Sequence, residues 1–457
     1  MTMTSTPAQH STTFWFKKID IKYRPFKEKN NATQPKPEGK YPYRQQPWLV
    51  CLSASLFFFY EFIQMGMFNS ISQELMQAFS INASQLGFLS ATYFYADVLF
   101  LLAAGMLVDR FSIRYIILSA MSIVILATIL FACSHSLRLA AISHFITGIG
   151  NAFCFLSCIK LATRWFPSHR LALVVGIMVT IAMLGGVIAQ TPFTLLVQTV
   201  GWRSAIFIDA MVGIGLLFII YRYVYDHPTQ PLLETDPEPS KVEPSTKLSL
   251  LSILKNRQNG LSGLYTCLLN LPVFLLGELW GVLYLTEIHH LTKTQASLVT
   301  TMVFIGTIIG SPLAGWFSDY IGRRKLPMIL GSLFALINVL CIIFISSLNF
   351  FSLMVLFLLL GFFTSTQIIT YPLIAESNPK QQTATATSLA SILIMGGGAV
   401  FQPLFGWVMD LFAHTSSQAS LYSTMSYTFG LSILPIAFIV SILAACMLCE
   451  TRCQPYT

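Results

Sequence analysis

A ten-residue stretch, GMLVDRFSIR at residues 105–114, decides the fold, because a related stretch, GWFSDYIGRR, stands at residues 315–324. A glycine, an aspartate and an arginine occupy the same places in both copies, 210 residues apart. Each copy breaks a long apolar run with charge, which is typical of a short loop between two buried segments. Similarity at a fixed spacing predicts an internal duplication.

A second pair of motifs repeats at nearly the same spacing, an offset of 212 residues. Its members are Gly185, Gly186, Gln190 and Pro192 in the first copy and Gly397, Gly398, Gln402 and Pro403 in the second. Two unrelated patterns at one spacing are improbable by chance. The chain is therefore predicted to be a duplicated unit.

Composition argues against a water-soluble protein. The chain is 54% hydrophobic and 10% charged, with a mean hydropathy of +0.67, whereas soluble domains are roughly 25% charged. Its 36 Phe lie in long apolar runs instead of alternating with polar residues, so a β-barrel is not expected. Helices satisfy their own backbone hydrogen bonds in lipid, and the predicted fold class is an all-α membrane protein.

Twelve apolar runs are long enough to span a bilayer, since a membrane helix needs about 20 residues. The predicted spans are 48–69, 85–107, 113–133, 138–163, 170–192, 203–224, 259–285, 295–317, 326–346, 350–375, 383–409 and 424–448. A proline-rich polar segment separates the sixth from the seventh. The predicted organisation is an N-terminal tail (1–47), a six-helix bundle (48–224), a linker (225–258), a second six-helix bundle (259–449) and a C-terminal tail (450–457).

The distribution of basic residues predicts orientation. The chain has 27 Lys and Arg and a formal net charge of +8, placed mainly in loops on the side of the N-terminus, which indicates topology and not nucleic-acid binding. Only Arg138, Arg203 and Lys293 fall on the opposite side, and Lys160 falls within a span. By the positive-inside rule both termini are expected to be cytoplasmic. No cleavable signal peptide is visible, and we expect a multi-pass protein of a bacterial cytoplasmic membrane.

These motifs resemble the major facilitator superfamily. Its loop between the second and third spans is roughly G-x-L-x-D-R-x-G-R-R/K, and five of its positions are matched here, while Ser112 departs from the usual glycine. The matching residues are Gly105, Leu107, Asp109, Arg110 and Arg114, with a weaker copy at Gly315, Asp319, Gly322, Arg323 and Arg324. The resemblance covers about residues 48–449. It implies two pseudo-symmetric six-helix bundles and a secondary transporter working by alternating access, loosely similar to lysosomal dipeptide transporters and bacterial organic-anion permeases.

In such a family the loop acts as a conformational latch. Gly105 is expected to let two helices approach closely, while Asp109 can accept from a neighbouring helix N-terminus or from the arginines. Glu376 is expected to pair with Arg323. Its counterpart at an offset of 212 is Arg164, so the two latches should differ. The alternative is that these charges only set topology.

Ionisable residues within spans are costly and therefore mark candidate functional sites. Glu61 and Asp97 fall near the middle of spans one and two, and Glu278 toward the outer end of span seven. The resemblance implies that spans one, four, seven and ten line the cavity between the bundles. The resulting candidates for contact with substrate or protons are Glu61, Asp97, Lys160, Asn270, Glu278, Gln367, Gln190 and Gln402.

Each candidate has a structural alternative. Glu61 can exchange protons if burial disfavours its charge, or it can form a structural pair with a cation or hydroxyl, and the same holds for Asp97. Lys160 can neutralise these acids or extend to the membrane surface. Gln190 and Gln402 can line a pocket or pack at proline kinks.

The predicted function is secondary transport of a small polar solute, such as an organic anion, an amino acid or a short peptide, coupled to protons. The alternatives are a proton-driven drug or metabolite efflux pump and a transporter-like receptor without turnover. An enzyme is not expected, because no clustered nucleophile and base is present and the sequence has no phosphate-binding loop. Nine cysteines show no ligand-like spacing, so neither a metal nor a cofactor is expected. The expected partners are a small-molecule substrate, protons and the lipid bilayer, with the chain a monomer.

Overall fold

The computed structural model describes residues 46–227, 255–345, 348–379, 383–413 and 422–454. Most of the predicted tail at 1–47 and of the linker at 225–258 lies outside the described residues, as do the last three residues of the C-terminal tail. The boundaries proposed for these segments therefore stay predictions.

Among the described residues, twelve helical segments are long and apolar enough to cross a membrane, which confirms the predicted all-α membrane fold. We number them α1 to α12. In the first half they are α1 (Pro47–Phe79), α2 (Ala83–Arg110), α3 (Ile113–Ala132), α4 (Leu137–Trp165), α5 (Ser168–Ala189 and Thr191–Val200) and α6 (Trp202–Tyr223). In the second half they are α7 (Arg257–Pro272, Val273–Gly277 and Gly281–Ile288), α8 (Lys293–Ile321), α9 (Lys325–Phe344), α10 (Phe350–Thr364, Ser365–Ile369 and Thr370–Glu376), α11 (Thr383–Leu411) and α12 (Thr424–Leu431 and Ile433–Met447).

Three helices differ from the predicted spans. Helix α1 continues to Phe79, because polar residues such as Asn69 and Ser70 are buried there instead of marking a membrane surface. Helix α5 continues past Pro192 to Val200, since a proline in the first turn of a new helical segment loses no hydrogen bond. Helix α7 is interrupted by a π-helical turn at Val273–Gly277.

Close helix contacts hold each half together. A Cβ added to Gly148 of α4 would lie 2.1 Å from the carbonyl oxygen of Tyr93 on α2. In the second half, a Cβ added to Gly361 of α10 would lie 2.0 Å from the carbonyl oxygen of Val303 on α8. Small residues permit such backbone contact between membrane helices. The corresponding pairs α2–α4 and α8–α10 thus pack alike in the two halves.

The halves meet along α2 with α11 and α5 with α8. A Cβ on Gly87 of α2 would lie 2.6 Å from the carbonyl oxygen of Gln402, and one on Gly406 of α11 would lie 2.3 Å from that of Ala83. Gly186 of α5 packs in the same way on the ring of Phe304. These contacts use the ends of α2 and α11 that are remote from the signature loops.

We call the membrane side that carries the signature loops the basic side, and the other the opposite side. One large apolar core runs through both halves and includes Leu75, Trp280 and Phe304. A second core, around Ile117, Leu161 and Trp165, belongs to the first half alone. A third small one belongs to the second half. First-half members of the shared core lie toward the opposite side, whereas the part of the first half toward the basic side has an apolar core of its own.

Candidate functional site

The first half buries a carboxyl cluster in its interior. Glu61 of α1 is fully buried, and the hydroxyl of Tyr93 donates to its Oε2 at 3.1 Å. Its other oxygen has no hydrogen-bond partner. It faces Gly150 of α4, where a Cβ would lie 2.2 Å from Val124 and 3.4 Å from this oxygen.

Asp97 lies one helical turn after Tyr93 on α2 and is 2% exposed. The side chain of Asn151 on α4 lies beside its carboxyl. The imidazole of His144 stacks between Phe68, at 4.1 Å, and Tyr93, at 5.4 Å. The structure thus brings together two buried carboxyls, and no ion pair within the described part of the chain includes either of them.

Lys160 does not reach this cluster. Its ammonium forms an ion pair with Asp109 and donates to the carbonyl of Val108 at 3.1 Å. Two roles were predicted for this lysine, and the structure shows the second, because its side chain extends to the basic side. Here it ties α4 to the end of α2 and leaves Glu61 and Asp97 without a cation.

Asn270 and Gln367 face each other between α7 and α10. The amide of Gln367 donates to Oδ1 of Asn270 at 2.9 Å. The hydroxyl of Tyr265 on α7 lies 3.1 Å from that of Thr366 on α10. Two helices expected to line the cavity are therefore joined in the second half by neutral polar contacts.

Gln190 and Gln402 satisfy backbone groups of the interrupted helix α7. Gln190 donates to the carbonyl of Gly277 at 2.7 Å, and Gln402 donates to that of Phe274 at 3.0 Å. In lipid the backbone groups freed by a helix break need such partners. Neither of the two expected roles, pocket lining or packing at a proline kink, describes these contacts.

Asn69 completes this arrangement and was missed by sequence reasoning. Its amide donates to the carbonyls of Leu276 and Gly277, both at 3.1 Å, and its oxygen accepts from the backbone N–H of Val282 at 3.0 Å. The predicted first span ends at this residue, because the apolar run stops there. The sequence signal for a longer helix is weak, since Ser70 and Ser72 continue it with polar residues.

Glu278 lies in the turn that follows this break and is fully buried. Both of its carboxyl oxygens lack a hydrogen-bond partner. It lies beside the contacts between the halves and does not belong to the cluster around Glu61.

Polar contacts between the halves lie at the opposite side. Lys293 of α8 forms an ion pair with Glu74 of α1. Thr300 donates to Gln190 at 2.8 Å. Asp410 of α11 accepts from the first turn of α2.

At the basic side the polar contacts among the described residues stay within one half. Asp226, after α6, accepts from the backbone N–H of Arg114 at 2.8 Å and from the hydroxyl of Ser112. Glu450, after α12, accepts from the backbone N–H groups of Arg324, at 2.8 Å, and Lys325, at 3.0 Å. Both carboxylates cap the first turn of the third helix of their half, where the helix dipole favours negative charge.

The partner expected for Glu376 was wrong. Arg323 is exposed, whereas the buried Arg324 donates from Nη2 to Glu376 at 2.6 Å and from Nη1 to Asp319 at 2.5 Å. Position 324 opens α9 and points inward, because Gly322 reverses the chain with a φ of 63°. In the first half Arg164 lies 4.0 Å from Asp226, so corresponding positions carry opposite charge.

The glycines that open the two loops are not at close helix contacts. A Cβ on Gly105 would meet only Leu156, at 3.9 Å, and one on Gly315 would meet nothing within 4 Å. Arg110 is exposed, and Arg114 lies over the rings of Tyr221 and Tyr225. The close approach expected at Gly105 is absent in this conformation.

A family model described as the Major Facilitator Superfamily matches residues 52–283 and 273–452. The chain belongs to the major facilitator superfamily. Its backbone also superimposes on a bacterial homologue of the human lysosomal transporter Spinster, solved in an inward-facing and unoccupied conformation. The TM-score is 0.74 at 16% identity, covering 89% of this chain and 98% of that one. At this level of identity the match shows that the two chains share a fold.

Relatives within the superfamily are named for organic anions. A probable hexose phosphate transport protein of Chlamydia muridarum is 24% identical over 302 residues, which is 61% of this chain and 66% of that protein. The hexuronate transporter of Bacillus subtilis is 20% identical over 245 residues, 54% and 58% of the two chains. The chain therefore aligns with about two thirds or less of the length of these relatives.

Proposed function

We propose that this chain is a proton-coupled secondary transporter that moves a small polar organic solute by alternating access. The observation that carries the proposal is the one-sided contact between the halves. The hydrogen bonds and ion pairs that join the halves in the described residues lie at the opposite side, while the part of the first half toward the basic side has an apolar core that it does not share with the second half. A state closed on one side is one of the two end states that alternating access requires.

The carboxyls of Glu61 and Asp97 supply the coupling. A buried ionised carboxylate without a cation is strongly disfavoured, and neutralisation by a proton removes that cost. Because Lys160 is engaged with Asp109, a proton is the available counter-charge. Loading and release of that proton then depend on which side of the membrane reaches the cluster.

The names of the relatives favour an organic anion as substrate, with amino acids and short peptides as zwitterionic alternatives. An anion that binds between the halves is repelled by the ionised forms of these two carboxyls in a low-dielectric surrounding. Protonation removes the repulsion, so proton and anion bind together. The names of the relatives, a hexose phosphate and a hexuronate transporter, agree with this class.

We also propose that both described ends of the membrane domain face the cytoplasm and that the basic side is the cytoplasmic one. Lys and Arg concentrate there, as the positive-inside rule requires. The state described is then open toward the cytoplasm.

A competition experiment in proteoliposomes tests the substrate class. Purified protein is given an imposed pH gradient and a panel of labelled hexose phosphate, hexuronate, amino acids and dipeptides, with an uncharged hexose as the control. We expect accumulation of at least one charged solute that disappears when the gradient is collapsed. Movement of the hexose alone, or uptake indifferent to the gradient, would overturn the proposal.

A further inference from the structure

The interruption of α7 holds a carboxyl group that the coupling described above does not use. Glu278 follows the π-helical turn Val273–Gly277 and is 0% exposed. Neither of its oxygens has a hydrogen-bond partner, and the indole N–H of its neighbour Trp280 has none either. A π-helical turn within an α-helix is frequent at functional sites.

The backbone around Glu278 is already satisfied. Gln402 donates to Phe274 O, the N–H of Trp280 donates to Leu275 O at 2.7 Å, and Asn69 donates to the next two carbonyls, the second of which also accepts from Gln190. A metal cation bound by oxygen needs several ligands, and these carbonyls are engaged. Among the described residues no group of His, Cys, Asp and Glu is placed to hold a metal ion. The ligand that fits this carboxyl is a proton.

Charged and titratable groups on the surrounding helices are engaged elsewhere. Glu74 of α1 pairs with Lys293 of α8, Asp410 of α11 caps α2, and His289 contacts the hydroxyl of Tyr284 at 3.0 Å. Glu287 lies more than two turns further along α7 and shares no hydrogen bond with Glu278. An unpaired ionised carboxylate in this surrounding is strongly disfavoured.

We propose that Glu278 is a proton-binding gate residue of the opposite side. The turn that carries it is held by Asn69 and Gln190 from the other half, so parting of the halves at the opposite side breaks those contacts and admits water. When the opposite side closes, the Glu278 carboxyl takes up one proton from that side. When the halves part there again, the carboxyl releases the proton to the same side. The proton sets the position of the conformational equilibrium and is not carried across.

The sign of the pH effect follows from this uptake. The closed state binds one proton more than the open state, so closure at the opposite side is favoured at low pH and lost as pH rises. This inference rests on the proposed alternating access, but it concerns a residue apart from the coupling pair Glu61 and Asp97.

Distance measurements between spin labels test the inference. Labels are placed at the exposed opposite-side positions Gln77 and Thr424, one in each half, with exposed native cysteines replaced by serine. For the otherwise unaltered protein we expect the short-distance population to fall as pH rises, about tenfold in the closed-to-open ratio per pH unit at the steepest point. In Glu278→Gln we expect the short-distance population to predominate at every pH. Glu74→Gln, which removes a neighbouring ion pair, is expected to shift the ratio while keeping its pH dependence.

A pH response in Glu278→Gln equal to that of the parent would overturn the inference while leaving alternating access intact. Distances that never change in the parent, with any pH or solute, would contradict the proposed function instead. If Glu278→Gln does not fold, Glu278→Asp is used, and an unchanged midpoint of its pH response counts against the inference.

Discussion

Asp410, near the end of α11, caps the first turn of α2, accepting from the backbone N–H of Ser84 at 2.9 Å across the boundary between the halves. The same carboxylate accepts from the hydroxyl of Tyr422 at 2.6 Å and from the N–H of Ala83 at 3.3 Å. One side chain of the second half thus satisfies the free donors of a helix in the first. Such a contact stabilises the state that is closed at the opposite side.

Asp410→Asn is expected to weaken this closure. Loss of a negative charge at a helix N-terminus costs about 0.3–1 kcal/mol, and up to about 2 kcal/mol when the charge is partly buried, which corresponds to a factor of roughly 2–30 in an equilibrium. Spin-label distances between Gln77 and Thr424 should show a larger open population at constant pH. Asp319→Asn, whose partner Arg324 lies in the same half, is the control, and equal distributions in the two variants would contradict the role given to Asp410.

Gly148→Ala and Gly105→Ala should differ sharply. A Cβ at Gly148 would lie 2.1 Å from a backbone oxygen of Tyr93, so α2 and α4 must separate and the tyrosine that donates to Glu61 must shift. A Cβ at Gly105 meets only ordinary contact, and alanine gains about 0.5–1 kcal/mol over glycine within a helix. Thermal unfolding should show a large loss for the first and none for the second. A destabilised Gly105→Ala would indicate a tighter contact than this conformation contains.

Arg324→Ala should destabilise the second half, whereas Arg323→Ala should not. Arg324 bonds to both Glu376 and Asp319 from a buried position, and hydrogen bonds to charged groups contribute about 1.5–3 kcal/mol. The adjacent arginine is exposed, and surface substitutions usually change stability by less than about 0.5 kcal/mol. Melting temperatures in detergent provide the comparison. Equal losses in the two variants would contradict the assignment of the buried partner.

Glu450 should make stability dependent on pH in the acidic range. Burial alone would raise the pKa of this carboxyl, but the backbone N–H groups of Arg324, Lys325 and Arg452 and the charge of Lys325 lower it below its usual value. The unfolded state therefore binds more protons, so the contribution of Glu450 is present above the unfolded pKa of about 4.3 and is lost as pH falls through the folded one. Glu450→Gln should melt lower than the parent at neutral pH and approach it at acidic pH. A constant difference would exclude this carboxylate as the cause.

Much of the fold followed from hydropathy, since twelve apolar runs and two repeated loops predict twelve helices in two halves. The interruptions of the helices could not be predicted from hydropathy. A window of 20 residues averages over the break at Val273–Gly277, and neither the local composition nor Pro272 separates a kink from a π-helical turn. The predicted first span likewise ends too early, at Asn69. The other half buries the polar end of α1, and only the tertiary fold reveals that burial.

The candidate site was likewise predictable only in part. Burial of Glu61 and Asp97 could be predicted from their depth within apolar runs. The partners of the charged residues could not be predicted, because an ion pair such as Lys160–Asp109 joins residues 51 positions apart and depends on how α2 and α4 pack. The roles of Gln190 and Gln402 depended on backbone groups freed by a break that was itself unforeseen.

The most direct test is the proton movement that accompanies solute entry into proteoliposomes, followed with an internal pH indicator in the parent protein and in Glu61→Gln. Coupling through Glu61 predicts that solute and protons enter together in the parent, and that Glu61→Gln exchanges solute across the membrane without net accumulation or proton entry. Solute accumulation without proton entry in the parent, or unchanged coupling in Glu61→Gln, would contradict it.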